Sequence, residues 1–391
     1  MSVPKRPHPV MIWIIGLGEL AAFLNAPLFY AVISRLYGYD EIAVGYVASA
    51  EVLGITLGAG ALALVPAARY EVVLCLACAL VAAGNFLCPS LGGFLPVLIG
   101  LRAIVGFGAG LARGYVYKYC GTALSPNRAF GAFYATQIGV SAPGYQFLHW
   151  LTTSFGGAAI FMFYGALGLA SLGVALILPR GWTPAGSAKK SESTHTSANL
   201  LTPSIVLALV GLTLHGWSSG NTWPFLQKFG EHHGFADLPL NYTMSAVAAV
   251  GVIGSLLAVV TPQRLAKVGI LGVGSAVLLL AAWGLYKPES FAEYATGAIA
   301  VGFYYMYALP MLLGAISRKG PSGRVAVIAG SVSLIGFMIG SAVGGHVIER
   351  FGYSTLGPTI FVFCTVAAIL VFYPPKGRPL TKTAKVLTAH L

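Results

Sequence analysis

Charge is what this sequence has least of. Only 9% of its 391 residues are Asp, Glu, Lys or Arg, and the acidic residues number 11. Soluble globular domains keep about a quarter of their residues charged, so a soluble enzyme or nucleic-acid-binding domain is excluded as the bulk of the chain. Cysteine is also scarce. Cys75, Cys78, Cys88, Cys120 and Cys364 lie mostly in or beside apolar segments, which excludes a secreted disulfide framework. Cys75-Leu-Ala-Cys78 has a metal-like spacing, but on an apolar helix it reads as two small packing residues, and no metal site is expected. There is no Walker loop, zinc-protease pair or hydrolase elbow, and Gly106-Phe-Gly108-Ala-Gly110 follows no strand, so it is not a dinucleotide loop. No catalytic residue and no cofactor are expected.

What fills the chain is apolar: 57% of residues are hydrophobic, with a mean hydropathy of +0.80. A window of about 20 residues, enough to cross a bilayer of roughly 30 Å, finds twelve apolar stretches. They centre near residues 22, 54, 80, 107, 138, 167, 214, 250, 278, 303, 334 and 363. The lengths predict helices, and the first, following Lys5 and Arg6, is read as a retained helix because it runs on without a cleavage site.

Basic residues set the expected orientation. Seventeen of the 23 Lys and Arg fall in the terminal segments and in alternate loops, from Lys5 and Arg6 through Arg180, Lys189 and Lys190 to Lys385, whereas the opposite loops hold Arg35, Lys228, Lys287 and Arg350. Cytoplasmic loops retain Lys and Arg, so both termini are expected in the cytoplasm of a multi-pass protein of a bacterial inner membrane. The formal net charge of +12 is then a topology signal that suits an anionic leaflet, and nucleic acid is not an expected partner.

The longest internal hydrophilic interval, residues 181–200, separates six stretches from six, giving the boundaries 1–180, 181–200, 201–375 and a tail at 376–391. The halves echo each other at an offset of 196: Asn25 with Asn221, Phe29 with Phe225, Pro66 with Pro262, Gly106 with Gly302, Arg128 with Arg324, Gly144 with Gly340. Six spans is an even number, so the halves share one orientation and a solute site is expected between them at mid-depth.

Span count, central linker and half-repeat together resemble the major facilitator superfamily over nearly the whole chain. Arg102-Ala-Ile-Val-Gly106-Phe-Gly108-Ala-Gly110 is similar to that family's fourth-span pattern of an arginine followed by closely spaced glycines. The resemblance implies an all-α membrane protein of 12 transmembrane helices in two pseudo-symmetric six-helix bundles, working as a secondary transporter, and it assigns a proton-coupling role to Arg102. The chain departs from the pattern at Val65-Pro66-Ala67-Ala68-Arg69-Tyr70, which keeps one basic residue after the second span, and at Gly139-Val-Ser-Ala-Pro143-Gly144, one residue short of the exchanger signature.

Ionisable groups inside lipid are expensive and mark pathways. Glu19, Glu51, Arg102 and His215 are therefore the proton-coupling candidates, His215 standing 196 residues after Glu19. Arg102 and Arg113, eleven residues apart, share one helix face about 16 Å apart in depth, and depth matching pairs Glu51 with Arg102 and Glu19 with Arg113. Fixed structural ion pairs are the competing reading. The second half has no expected intramembrane Lys, Arg, Asp or Glu and is aromatic instead. Substrate-binding candidates are Arg113, Asn25, Tyr117, Asn221, Trp217, Tyr304, Tyr305 and Tyr307. A guanidinium opposite aromatic rings suits a small organic anion with an apolar or aromatic body. The expectation is proton-coupled uptake of such a solute by a monomer in the lipid bilayer, with proton-driven efflux of drugs or metabolites, or a non-transporting membrane sensor, as alternatives.

Overall fold

Lipid offers a backbone no water to bond, so each long apolar run must close its hydrogen bonds within itself, and the chain answers with helices. The structure is a computed structural model that describes residues 8–66, 69–121, 126–178, 202–262, 265–317 and 324–373; the linker at 181–200 and the tail at 376–391 lie outside them. No strand occurs among the described residues.

The first half comprises α1 (Pro9–Leu24), α2 (Ala26–Tyr37), α3 (Glu41–Leu64), α4 (Tyr70–Leu91), α5 (Leu95–Gly121), α6 (Pro126–Phe155) and α7 (Ala159–Ile177). The second comprises α8 (Pro203–Thr222), a 3-10 turn at Trp223–Phe225, α9 (Leu226–His232), α10 (Asp237–Val260), α11 (Ala266–Val268), α12 (Ser275–Gly284), α13 (Phe291–Ser317), α14 (Arg324–Phe351) and α15 (Leu356–Phe372). A π-helical segment, Gly269–Gly274, joins α11 to α12. Taken as single passes, α1 with α2, α8 with α9 and α11 with α12 complete two six-pass bundles.

The repeat is visible in the backbone. Among the described residues the only positive φ angles belong to Gly38 (70°), Gly156 (83°), Gly234 (77°) and Gly352 (82°). These form two pairs at the 196 offset, since 38 + 196 = 234 and 156 + 196 = 352, and all four lie in turns at the same end of the molecule. Left-handed backbone favours glycine, so each half reverses its chain at the same points for the same steric reason.

The halves meet along α3 with α14 and α6 with α10, two contacts related by the same offset, with α2 against the turn before α9. Small residues let these helices touch. A Cβ on Gly45 would strike the Ser341 carbonyl across the α3 and α14 contact, and one on Gly345 would strike that of Glu41. Within the first half, Gly106 of α5 lies against the Glu51 carbonyl of α3.

Gly106→Leu should therefore lower thermal stability in detergent by the equivalent of about 1–3 kcal/mol, as overpacking a tight contact does. Gly60→Ala, on the same helix pair but with nothing within 4 Å of the added methyl, should leave stability unchanged or raise it.

Candidate functional site

Two helix breaks bring side chains into the space between the bundles. Pro27 has no N–H to give to the Phe23 carbonyl, which is approached instead by the Asn25 backbone N–H, while Asn25 Nδ2 donates to the Ala21 carbonyl at 3.1 Å. The break turns Phe23 and Leu24 inward. Its counterpart lies before Pro224, where Thr222 Oγ1 donates to the Ser218 carbonyl at 2.9 Å and Trp223 turns inward.

The cavity so formed has a volume of about 190 Å³. Phe23, Leu24, Arg113, Ile138 and Ser141 form one wall. The other comes from α8, α10, α13 and α14 and includes His215, Ser219, Trp223, Tyr305, Met306, Leu309, Ser333, Leu334 and Phe337. Four pairs of lining residues stand at the repeat offset: Phe23 with Ser219, Arg113 with Leu309, Ile138 with Leu334, and Ser141 with Phe337. The walls are repeat-related surfaces that have kept their positions and changed their chemistry.

Arg113 supplies the cavity's guanidinium. Its Nε donates to Tyr117 Oη at 2.7 Å and its Cζ lies 5.1 Å from the centre of the Tyr117 ring, so Tyr117 orients the cation from behind the wall. His215 is buried in the opposite wall. Neither of its ring nitrogens has a hydrogen-bond partner among the described residues, and its ring lies 6.1 Å from that of Tyr304 and 5.6 Å from that of Tyr305. The Tyr305 hydroxyl lies 3.2 Å from Ser218 Oγ and 3.5 Å from Thr222 Oγ1. Glu19 is on α1, but its side chain lies outside the described residues.

Glu51 and Arg102 sit elsewhere, inside the first bundle and away from the cavity. Arg102 Nη2 meets Glu51 Oε1 at 2.6 Å while Nε meets Oε2 at 3.3 Å, a two-point pair. Arg102 Nη1 donates to Asn85 Oδ1 at 2.9 Å, Tyr30 Oη donates to Glu51 Oε2 at 2.7 Å, and the Phe29 ring lies 4.6 Å from the guanidinium carbon. Both side chains are buried. The shared helix face of Arg102 and Arg113 thus serves two places: a sealed interior and a cavity wall.

Several other sequence candidates stand off the cavity. Trp217 packs on Phe363 at 4.2 Å between ring centres, and Asn221 donates Nδ2 to Thr359 Oγ1 at 3.2 Å, both at the contact of α8 with α15. Tyr304 is buried behind His215, and Tyr307 stacks on Phe303 at 5.6 Å. Trp223, Phe23, Phe337 and Met306 take the places on the wall. The repeat offset could have found Phe23 and Phe337, because each stands opposite a serine in the other half.

One expectation needs correction. The sequence sets Lys228 in an outer loop and leaves the second half without expected intramembrane charge, but Leu226–His232 is helical and carries Lys228 into the interface. There Nζ meets Glu41 Oε1 at 2.7 Å across the bundles, and Tyr353 Oη donates to the same oxygen at 2.7 Å. Arg35 Nη1 meets Asp237 Oδ2 at 2.7 Å beside it, in a more exposed pair that contributes little. Tyr46 Oη lies 2.8 Å from His346 Nε2, and Asn241 Nδ2 lies 3.1 Å from His149 Nδ1. All these contacts are at the end that carries the four glycine turns, so the bundles are fastened there, and the cavity lies at mid-depth, with Arg113 on its side away from those turns.

The backbone has close counterparts among solved structures. A single-site variant of the nucleoside transporter NupG superposes with a TM-score of 0.72 at 15% identity, covering 93% of this chain and 98% of that one. NupG itself gives 0.66 at 16%, with 93% and 97% covered. A D-xylose-proton symporter gives 0.71 at 14%, with 95% and 99% covered. No family model matches the sequence, and no curated relative does. The chain therefore has the major facilitator fold.

Removing one member of the Glu51 and Arg102 pair should be costly and removing both should not. Arg102→Met strands a buried carboxylate and should destabilise by about 3–5 kcal/mol in a denaturation series, most of it recovered in Glu51→Leu/Arg102→Met. At the fastened end, Glu41→Gln strands Lys228. Spin labels at Ser154→Cys and Lys287→Cys should then report a longer separation in a larger share of molecules than in the parent.

Proposed function

We propose that this protein is a secondary transporter that moves a small organic anion with an apolar or aromatic body, coupled to proton uptake, as the two bundles rock around the central cavity. The observation that carries this reading is the cavity wall. It presents the Arg113 guanidinium among aromatic, aliphatic and hydroxyl groups, and among its described lining residues there is no Asn, Gln, Asp or Glu. A polyhydroxylated solute needs several fixed donors and acceptors, whereas a monoanion with a flat body needs one cation and apolar walls. Phe23, Trp223, Met306 and Phe337 supply those walls.

Arginine keeps its charge throughout, so Arg113 fits the anion and not the proton. His215 fits the proton, being a cavity histidine without a hydrogen-bond partner among the described residues, with Glu19 at the matching position of the other half. The closed packing around Glu51 and Arg102 supports a structural pair that holds α3, α4 and α5 together. With both termini in the cytoplasm, the fastened end faces outward and the cavity is reached from inside, one of the two states that alternating access requires.

An uncharged nucleoside or pentose, the solutes named for the fold neighbours, is the second reading, favoured by the shared fold and the flat aromatic surfaces. Reconstituted liposomes with an imposed pH gradient separate the two. Benzoate accumulation should follow the gradient and fall about tenfold to a hundredfold in Arg113→Ala, the range expected for a lost charge-assisted bond. His215→Phe should keep benzoate counterflow but lose its acceleration by the gradient. Uridine or xylose flux indifferent to Arg113 would favour the second reading, and benzoate binding without any flux would favour a sensor.

A further inference from the structure

The aromatic residues of the central cavity are not distributed evenly between repeat-related positions. Phe23 of α1 and Phe337 of α14 come from opposite bundles, both line the cavity, and their ring centres lie 5.4 Å apart with the rings tilted at 53°. Their counterparts at the offset of 196 are Ser219 and Ser141, which line the same cavity. Two rings therefore meet across the bundles at one place, and serines hold the positions that the repeat makes equivalent. Each serine is bonded within its own half: Ser219 Oγ donates to the His215 carbonyl at 3.1 Å, and Ser141 Oγ to the Leu24 carbonyl at 3.2 Å.

Both rings are backed by close packing. Phe23 packs on the cluster of Ile55, Val81, Val105 and Ala109. The Phe337 backbone is pressed on α8, where a Cβ on Gly220 would strike its carbonyl, and Ser341 Oγ lies 3.2 Å from the Gly220 carbonyl and 3.0 Å from that of Phe337. A close-packed interior yields little to added volume, so this backing fixes where the rings stand. Phe23 and Phe337 lie near the middle of their passes, whereas Arg113 lies further from the glycine turns. A carboxylate held by Arg113 therefore places the body of its acid on the side where the aromatic pair stands. The cavity, at about 190 Å³, is smaller than the roughly 300–1,000 Å³ of sites for drug-sized ligands, which leaves space for one ring and little beyond it.

We propose that Phe23 and Phe337 form the size filter of the central cavity: acids with one ring fit against the pair and are moved, and acids with a fused second ring collide with it and are refused. The inference rests on the reading of the cavity as an anion site and specifies which part of that class it takes. Because the rings belong to different bundles, a body that holds them apart also holds the bundles apart at that level, and the approach on which rocking depends is not completed.

The test uses the full chain in liposomes with an imposed pH gradient, with benzoate as the one-ring probe and 2-naphthoate as the fused-ring probe, each flux taken above that of protein-free liposomes. In the parent, 2-naphthoate should move at least about tenfold more slowly than benzoate, within the roughly 10–200-fold that one methylene commands in an apolar pocket. Phe23→Ser and Phe337→Ser, each installing the residue found at the repeat-related position, should raise the ratio of 2-naphthoate to benzoate flux about tenfold. Phe23→Leu, which keeps an apolar side chain against Ile55 and Ala109, should raise it less. The ratio is read within each variant, so a smaller amount of folded protein cancels. Leu309→Ala, which enlarges the cavity at the repeat position of Arg113, should leave the ratio within about twofold of the parent. A ratio unchanged in both serine variants, or raised as far by Leu309→Ala, overturns the filter, while benzoate movement that depends on Arg113 leaves the anion reading standing. Movement of neither acid in the parent or any variant overturns the anion reading, and the filter with it.

Discussion

Backbone-to-backbone contact at glycine is the constraint on which the architecture rests. In lipid there is little hydrophobic gain from burying one apolar helix against another, so association depends on close fit and on the few polar groups the fit encloses. Where Gly106 lets α5 lie on the Glu51 carbonyl, the same closeness places Arg102 within reach of the Glu51 carboxylate and shuts out water. Where Gly45 and Gly345 let α3 and α14 touch across the bundles, they hold Glu41 near enough to meet Lys228. Tight packing comes first, and the buried ion pairs are tolerable because of it.

The cavity is the complement of that rule. Helices that touch at glycine elsewhere diverge around mid-depth, and the residues that fill the gap are bulky and mostly apolar. The bundles are unequal in how they use charge: one encloses a complete ion pair of its own and contributes a guanidinium to the shared space, whereas the other contributes a histidine, serines and aromatic rings. Repeat-related positions such as Arg113 and Leu309 thus give the cavity two chemically different walls on one scaffold.

Much of this was legible in the sequence because lipid restricts what a chain can do. Hydropathy alone places the spans, and the 196 offset announces two related bundles before any contact is known. The pairing of Glu51 with Arg102 was readable from depth, since a buried charge must find a partner at its own level. What was not readable was rotation about each helix axis. Trp217 and Trp223 are both aromatic and close in sequence, yet Trp217 packs on Phe363 of α15 while Trp223, just past the end of α8, lines the cavity. Lys228 was misplaced for a related reason: a short amphipathic stretch after a helix break reads as a loop, and only the partner carboxylate on α3 makes its burial affordable.

The Lys228, Glu41 and Tyr353 cluster also bears on how such a molecule changes state. Both charges are largely shielded while the bundles are together, and among the described residues neither has another partner of opposite sign at the contact distances that define this one. Separating the bundles at that end therefore exposes two ions at once, and the separation becomes favourable only as hydration replaces the bond. Parting and wetting of that gap therefore go together, since neither ion is stable bare in a dry crevice.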